Sequence, residues 1–122
     1  MMLEWLNGEF SVVKWTRERK IEDLGQYSFW AKTDKEISLV CPTQQVPKDA
    51  EVCENGWNAF RVSGEMEFSL VGILAEISSC LAQQKISIFA ISTYDTDYIL
   101  IKKKNARLGQ EALESVGWKF VE

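Results

Sequence analysis

The sequence predicts an α+β fold, because two helical patterns alternate with strand-forming runs in the second half of the chain. From Asn58 these runs follow the order strand, helix, strand, strand, helix, strand up to residue 121. The first half adds one strand and one hairpin but no convincing helix. With 122 residues, of which 46% are hydrophobic and 26% charged, the chain suits one compact protein with a substantial core.

The first half is predicted to form three strands. Phe10–Trp15 has strand composition, and Tyr27–Lys32 and Glu36–Cys41 flank a short turn as a hairpin would. The charged segment 16–25 has only two apolar anchors, which suffice for a loop or a short helix. Residues 42–51 are polar and contain both prolines, so they are predicted to form a connector without strand structure.

The first helix of the second half is predicted to begin at Ser69, whose hydroxyl suits an N-cap. It follows a strand over Asn58–Val62, in which Phe60 and Val62 share one face. Apolar residues spaced by three and four mark the buried face of this helix, namely Leu70, Ile73, Leu74, Ile77 and Leu81.

A hairpin, a second helix and a short strand complete the second half. Ile86–Ser92 is apolar on both faces, as expected of a central strand, and Tyr98–Lys102 is predicted to return antiparallel to it. The second helix has Asn105 as its cap and Gly117 as its stop signal, before a last strand over Trp118–Val121.

This order of elements is the split βαβ arrangement of ferredoxin-like folds. The first half repeats its opening without a second helix or a fourth strand. We therefore expect two ferredoxin-like lobes, residues 1–51 and 52–122, of which the N-terminal one is incomplete. Neither lobe should fold well alone, because each must pack against the other or exchange strands with it to close its sheet.

Composition excludes several functions. A net charge of −4 gives no attraction to nucleic-acid phosphates, and the absence of histidine removes Ser/His and Cys/His nucleophile pairs and imidazole metal ligands. Cys41, Cys53 and Cys80 are odd in number and widely spaced, so we interpret them as thiols in or near the core. No apolar run approaches the ~20 residues of a membrane span, and a cytoplasmic protein without cofactor or metal is expected.

The candidate site comprises two polar segments, the start of the first helix and the turn of the second-half hairpin. The amide groups of the predicted helix start at Ser69–Gly72 favour an anion such as a carboxylate, and the neighbouring Glu65 and Glu67 favour a zwitterion over a pure anion. In the turn after Ser92, Asp97 suits a ligand ammonium or guanidinium. The alternative is that Ser69 only caps a helix and that the aspartates are ordinary turn residues.

Residues 57–121 resemble the ACT domain, a ferredoxin-like module that binds amino acids and regulates metabolic enzymes. The resemblance is carried by the helix start Ser69–Ala75 and by the following strand at Ile86–Ile88. More narrowly, residues 68–74 together with 91–98 resemble short two-lobed ACT proteins related to the CASTOR arginine sensors. The hairpin within residues 33–42 is similar to their first-half hairpin.

The resemblance implies a ligand at an interface between lobes or subunits. Backbone at the helix start would contact the ligand, hairpin side chains would line it, and Asp97 would receive a basic side chain or an ammonium. The residues that this assigns to ligand binding are Ser69, Leu70, Val71, Gly72, Ile73, Thr93, Tyr94 and Asp97.

We therefore expect a non-catalytic regulatory module that binds an amino acid, with a basic one among the candidates, and that forms a homodimer. The alternative is a structural or protein-interaction module without a metabolite ligand. An acylphosphatase-like enzyme would need an arginine and an asparagine in its first loop, whereas Arg61 and Asn58 fall within a predicted strand.

Overall fold

The structure is a computed structural model that describes residues 2–63 and 72–121. In these ranges the chain forms eight strands and two α-helices, and none of the helices is long and apolar enough to cross a bilayer. The strands are β1 (Met2–Trp5), β2 (Phe10–Trp15), β3 (Phe29–Lys32), β4 (Ile37–Pro42), β5 (Val52–Val62), β6 (Ile88–Ser92), β7 (Asp97–Lys102) and β8 (Lys119–Phe120), and the helices are α1 (Ile73–Gln83) and α2 (Ala106–Ser115).

The chain divides into two compact units. The C-terminal unit comprises the described residues within 1–7 and 58–122, and the N-terminal unit comprises residues 8–57. β5 runs through the boundary at residue 57 and supplies a strand to each unit. The predicted lobe boundary between residues 51 and 52 stays a prediction.

In the C-terminal unit the strands lie in the order β6-β7-β5-β1-β8. β1 runs antiparallel to β5, with Leu3 opposite Val62, and parallel to β8, with Leu3 opposite Phe120. No strand is predicted at residues 2–5, which form β1 only by pairing with β5 and β8. Residues 2–5 thus join a sheet whose other strands, β5 to β8, lie more than 45 positions further along the chain.

Both helices of the C-terminal unit pack on one face of this sheet. Alternation along the strands places Phe60 and Val62 on that face, where they are buried with Ile77 and Leu81 of α1 and Leu113 of α2. A Cβ atom at Gly109 would lie 2.8 Å from Ile101 Cδ1, so a larger residue there would need the end of the Ile101 side chain to move. The strand and helix order confirms the predicted ferredoxin-like α+β fold.

Three details of the prediction are corrected. β6 pairs only with β7 among the described strands, so it lies at the edge of the described sheet rather than at its centre, and its apolar residues Ile88, Phe89 and Ile91 are only half-buried. β5 begins at Val52 rather than Asn58. α1 begins at Ile73 with Gly72 in the N-cap position, whereas the predicted cap Ser69 lies outside the described residues.

The N-terminal unit is an antiparallel sheet in the order β3-β4-β2-β5, and its described residues include no α-helix. Both predicted strands of the hairpin are confirmed as β3 and β4. Its core is formed by Val13, Trp15, Ile37, Leu39 and Cys41.

Segment 16–28 has no regular structure and is held to the N-terminal unit by Arg19. The guanidinium lies 4.5 Å from the centre of the Trp15 ring and donates two hydrogen bonds of 3.0 Å to the Asp49 carboxylate. These bonds hold the pKa of Asp49 at about 2. The predicted loop therefore has fixed contacts although it lacks helical structure.

Both α-helices end in a Schellman motif, which needs one residue in the left-handed region. After α2 this residue is Gly117 (φ +104°), and the amide of Trp118 donates to the carbonyl of Leu113 at 3.1 Å. After α1 it is Lys85 (φ +59°), and the amide of Ile86 donates to the carbonyl of Leu81 at 3.0 Å. The predicted stop at Gly117 is confirmed, while the Lys85 stop was not foreseen.

Replacing Lys85 by glycine should raise the free energy of unfolding by about 0.5 kcal/mol, because glycine adopts a positive φ without the steric cost of a Cβ atom. The matched change Gly117→Ala should lower it by about 1 kcal/mol for the converse reason. Urea unfolding followed by circular dichroism measures both values. A destabilised Lys85→Gly protein would mean that the lysine side chain itself stabilises this helix end.

A fragment of residues 52–122 should not show the sharp thermal unfolding of the full chain. It lacks β1, so the edges of β5 and β8 lose their shared partner and the core loses the fully buried Leu3. Calorimetry of both proteins provides the comparison. A fragment with a cooperative transition at the same temperature would show that β1 is dispensable and that the predicted boundary at residue 52 delimits an independent domain.

Candidate functional site

The turn between β6 and β7 is fixed by two threonines. The Thr93 amide donates to the Thr96 carbonyl at 2.9 Å, and the Thr93 hydroxyl donates to the same oxygen at 3.0 Å. The Thr96 amide in turn donates to the Thr93 hydroxyl at 3.3 Å. Thr93 therefore has a structural role in closing the turn, as residues with short hydroxyl side chains commonly do.

Thr96 joins this turn to the end of β5. Its side chain is 6% exposed, and its hydroxyl donates to the carbonyl of Val62 at 2.9 Å. Next to it, Asp97 is 7% exposed and accepts a hydrogen bond of 2.5 Å from the Ser92 hydroxyl. Because buried polar groups need partners, these bonds fix the hairpin at one end of the sheet.

A cavity of about 590 Å³ opens at this end of the C-terminal unit. Its volume falls within the range of about 300–1,000 Å³ that small-molecule sites occupy. Most of its lining groups are polar or charged, unlike the helix-covered face of the same sheet. The lining residues are Glu4, Arg61, Val62, Ser63, Asp95, Thr96 and Tyr98.

An ion pair crosses the wall of this cavity. Arg61 Nε donates to Glu4 Oε1 at 2.9 Å, and one terminal nitrogen of the same guanidinium donates to the Tyr98 hydroxyl at 3.5 Å. Glu4 lies opposite Arg61 in the β1–β5 register, so strand pairing brings the two charges together. Their side chains are 37% and 30% exposed, and solvent therefore reaches both charges.

The sequence-predicted site residues are only partly described. Ser69, Leu70 and Val71, with Glu65 and Glu67, lie outside the described residues. Gly72 is exposed with φ +84°, and Ile73 is the first residue of α1. Their roles in binding a ligand stay predictions.

In the hairpin, the predicted residues adjoin the cavity in sequence but do not line it. Tyr94 is 80% exposed, Thr93 closes the turn, and Asp97 is bonded to Ser92. The cavity is lined instead by the intervening Asp95 and Thr96. Binding by Thr93, Tyr94 and Asp97 stays a prediction as well.

Sequence reasoning missed Glu4, Arg61 and Tyr98. Arg61 lies between Phe60 and Val62, and a charge flanked by two core residues in a strand indicates a polar opposite face. The same signal is compatible with a binding role for Arg61. Glu4 had no comparable signal, because its strand forms only through pairing with distant residues.

The cysteines do not form a metal centre in the part of the chain that the structure describes, where no three His, Cys, Asp or Glu side chains cluster as metal ligands. Cys41 is buried in the N-terminal unit, and burial raises the pKa of its thiol to about 11. Cys53 is exposed, because it lies in the solvated first half of β5. The prediction that all three thiols lie in or near the core was therefore wrong for Cys53.

A model of the ACT domain matches residues 52–115, which are more than half of the 122 residues. The chain therefore belongs to the ACT domain family, as the resemblance in its sequence indicated. ACT domains are regulatory modules that bind amino acids and are not themselves catalytic. No curated protein sequence matches the chain significantly.

Solved structures share the fold over nearly the whole chain. Protein Atu0741 from Agrobacterium tumefaciens is 27% identical with a TM-score of 0.89, and the match covers 98% of this chain and 91% of that one. VC0802 from Vibrio cholerae, a possible transport protein of unknown function, is 19% identical with a TM-score of 0.69 over 98% and 88%. A structure of aspartokinase alpha and beta subunits is 13% identical with a TM-score of 0.67 over 94% and 96%.

Replacing Thr96 by valine should lower the free energy of unfolding by about 1–2 kcal/mol, because the buried carbonyl of Val62 loses its donor while the side-chain shape is kept. The control Tyr94→Phe removes a hydroxyl from an exposed side chain and should change this energy by less than about 0.5 kcal/mol. Denaturant unfolding measures both. Equal effects of the two changes would contradict the role given to Thr96.

Proposed function

We propose that this ACT protein is a cytoplasmic, non-catalytic regulatory module that binds an amino acid at the end of β5 and the β6–β7 turn. The observation that carries the proposal is the cavity of about 590 Å³, where one guanidinium and two carboxylates line the same space. A free amino acid needs groups of both signs, because it presents a carboxylate and an ammonium together.

Arg61 is the proposed partner of the ligand carboxylate. A guanidinium carries five N–H donors in a planar fork, so it can hold Glu4 and a second carboxylate at the same time. Its bond to Glu4 orients it beforehand, which lowers the ordering cost of binding.

Glu4 and Asp95 are the proposed partners of the ligand ammonium. The two carboxylates outnumber the single guanidinium in the lining, so the cavity favours a ligand with a net positive charge. A basic amino acid meets this condition. The preference also agrees with the proposed relationship to the CASTOR arginine sensors.

The remaining ligand contacts that we propose are those predicted from the sequence. Backbone at Ser69–Ile73 would bind the ligand at the start of α1, and Thr93, Tyr94 and Asp97 would contact it from the hairpin. Gly72 supports the proposal because its exposed backbone has a conformation that admits a close approach. A ligand held by two such elements would shift the packing between lobes or subunits, which is how binding becomes a regulatory signal.

A homodimer is part of the proposal. Among the described strands, β6 pairs with β7 alone, and an edge strand can add a second copy by backbone hydrogen bonding. The same edge supports the alternative function, a structural or protein-interaction module without a metabolite. The alternative predicts a stable oligomer that no amino acid affects.

Thermal unfolding in the presence of each common amino acid tests the proposal. A ligand at 100 times its dissociation constant should stabilise the protein by about 2.7 kcal/mol, which is several degrees for a chain of this size. The variant Arg61→Gln should lose the shift given by a basic amino acid. The control Lys119→Gln removes the same charge from an exposed position in the C-terminal unit and should keep it.

Two results would overturn the proposal. If no amino acid shifts the transition, the interaction module is favoured, and if Arg61→Gln keeps the full shift given by a basic amino acid, that ligand binds elsewhere. Light scattering of the same samples separates a dimer from a monomer of 14.0 kDa.

A further inference from the structure

We infer that the C-terminal unit has a second ligand site, between Trp5 and α2, that accepts a zwitterion with a flat apolar side chain, the chemistry of an aromatic α-amino acid. The site is a cavity of about 340 Å³, which lies within the size range of small-molecule pockets. It shares no lining residue with the Arg61 cavity, and the inference does not depend on the function proposed for that cavity. Its lining residues are Trp5, Ala106, Arg107, Gln110, Glu111 and Glu114.

Trp5 forms a preordered aromatic wall. Its ring is stacked on Phe120 at 5.5 Å with an interplanar angle of 17°, and it meets the edge of Phe60 at 5.2 Å and 77°. Its indole N–H donates to Gln110 Oε1 at 2.7 Å, which fixes the ring against α2. Because the indole is already held in place, a ligand that packs on it would cost little additional side-chain entropy.

The opposite wall is one face of α2. The lining positions 106, 107, 110, 111 and 114 follow the spacing of one helical face, so their side chains share one side of the helix. This face carries a guanidinium on Arg107 and carboxylates on Glu111 and Glu114. At a rise of about 1.5 Å per residue, Arg107 precedes Glu111 by about 6 Å and Glu114 by about 10 Å along the axis, so this face carries its cation toward the N-terminus of α2 and its carboxylates toward the C-terminus.

No ion pair joins these charges to one another within the described part of the chain. Arg107 and Glu111 form no ion pair there, although they are four residues apart. Arginine preceding glutamate is the less favourable order for such a pair on a helix. Gln110, which accepts the hydrogen bond from Trp5, donates through its amide nitrogen to Glu114 Oε2 at 3.4 Å.

The ligand chemistry follows from this arrangement. A ligand carboxylate matches Arg107, a ligand ammonium matches Glu111 and Glu114, and a flat apolar body matches the Trp5 ring. An aliphatic or strongly polar side chain would leave the aromatic wall without a stacking partner. A ligand with only one of the two charges would leave the opposite charge of the helix face unmatched.

The test is a titration of ¹⁵N-labelled full-length protein with L-phenylalanine, with the indole N–H signal of Trp5 assigned from the variant Trp5→Phe. We expect this signal to move in a saturable way, and 2-phenylethylamine and 3-phenylpropionate, each lacking one charge, to bind about tenfold more weakly. Arg107→Gln should weaken phenylalanine binding by a similar factor. The control Lys119→Gln should leave the affinity unchanged.

Variants separate this site from the Arg61 cavity. Arg61→Gln should leave the phenylalanine titration of Trp5 unchanged if the second site exists. An unmoved Trp5 signal, or a titration that Arg107→Gln does not weaken, overturns the inference. Loss of the phenylalanine response in Arg61→Gln alone would also overturn it, while supporting the function proposed for the Arg61 cavity.

Discussion

The C-terminal sheet depends on one strand from the far end of the chain. β1 lies between β5 and β8 and satisfies the backbone hydrogen bonds of both, so neither strand has a complete set of partners without residues 2–5. The alternation of side chains along β1 then determines much of the unit. Leu3 is buried in the core, Glu4 reaches the Arg61 cavity on one side, and Trp5 forms the wall of the α2 cavity.

The two cavities lie on opposite faces of the sheet and differ in the chemistry of their lining. The helix-covered face is apolar, so the α2 cavity combines an aromatic wall with the charges of a helix surface. The opposite face carries Arg61 and Glu4 at one end, where the hairpin turn adds Asp95. One four-residue strand thus contributes a carboxylate to one cavity and an indole to the other.

The hairpin illustrates how binding and stability compete for the same residues. Thr93 is predicted to contact a ligand, yet its hydroxyl is bonded within the turn, and that of Thr96 is bonded to the end of β5. Asp97 is likewise bonded to Ser92. A ligand at these positions would exchange existing hydrogen bonds for new ones, and only the difference would contribute to affinity. Asp95 is exposed, so it can contact a ligand without that exchange.

Local pattern determined the order of elements in the second half, since helical spacing, strand composition and the Gly117 stop depend on neighbouring residues only. It also determined the ferredoxin-like class and the family resemblance. Tertiary structure decided what local pattern cannot encode: the strand at residues 2–5, the edge position of β6, and the pairing of Glu4 with Arg61 across 57 positions. The physical reason is that a strand acquires its hydrogen-bonding partners, and a site its opposite charges, from residues that are distant in sequence.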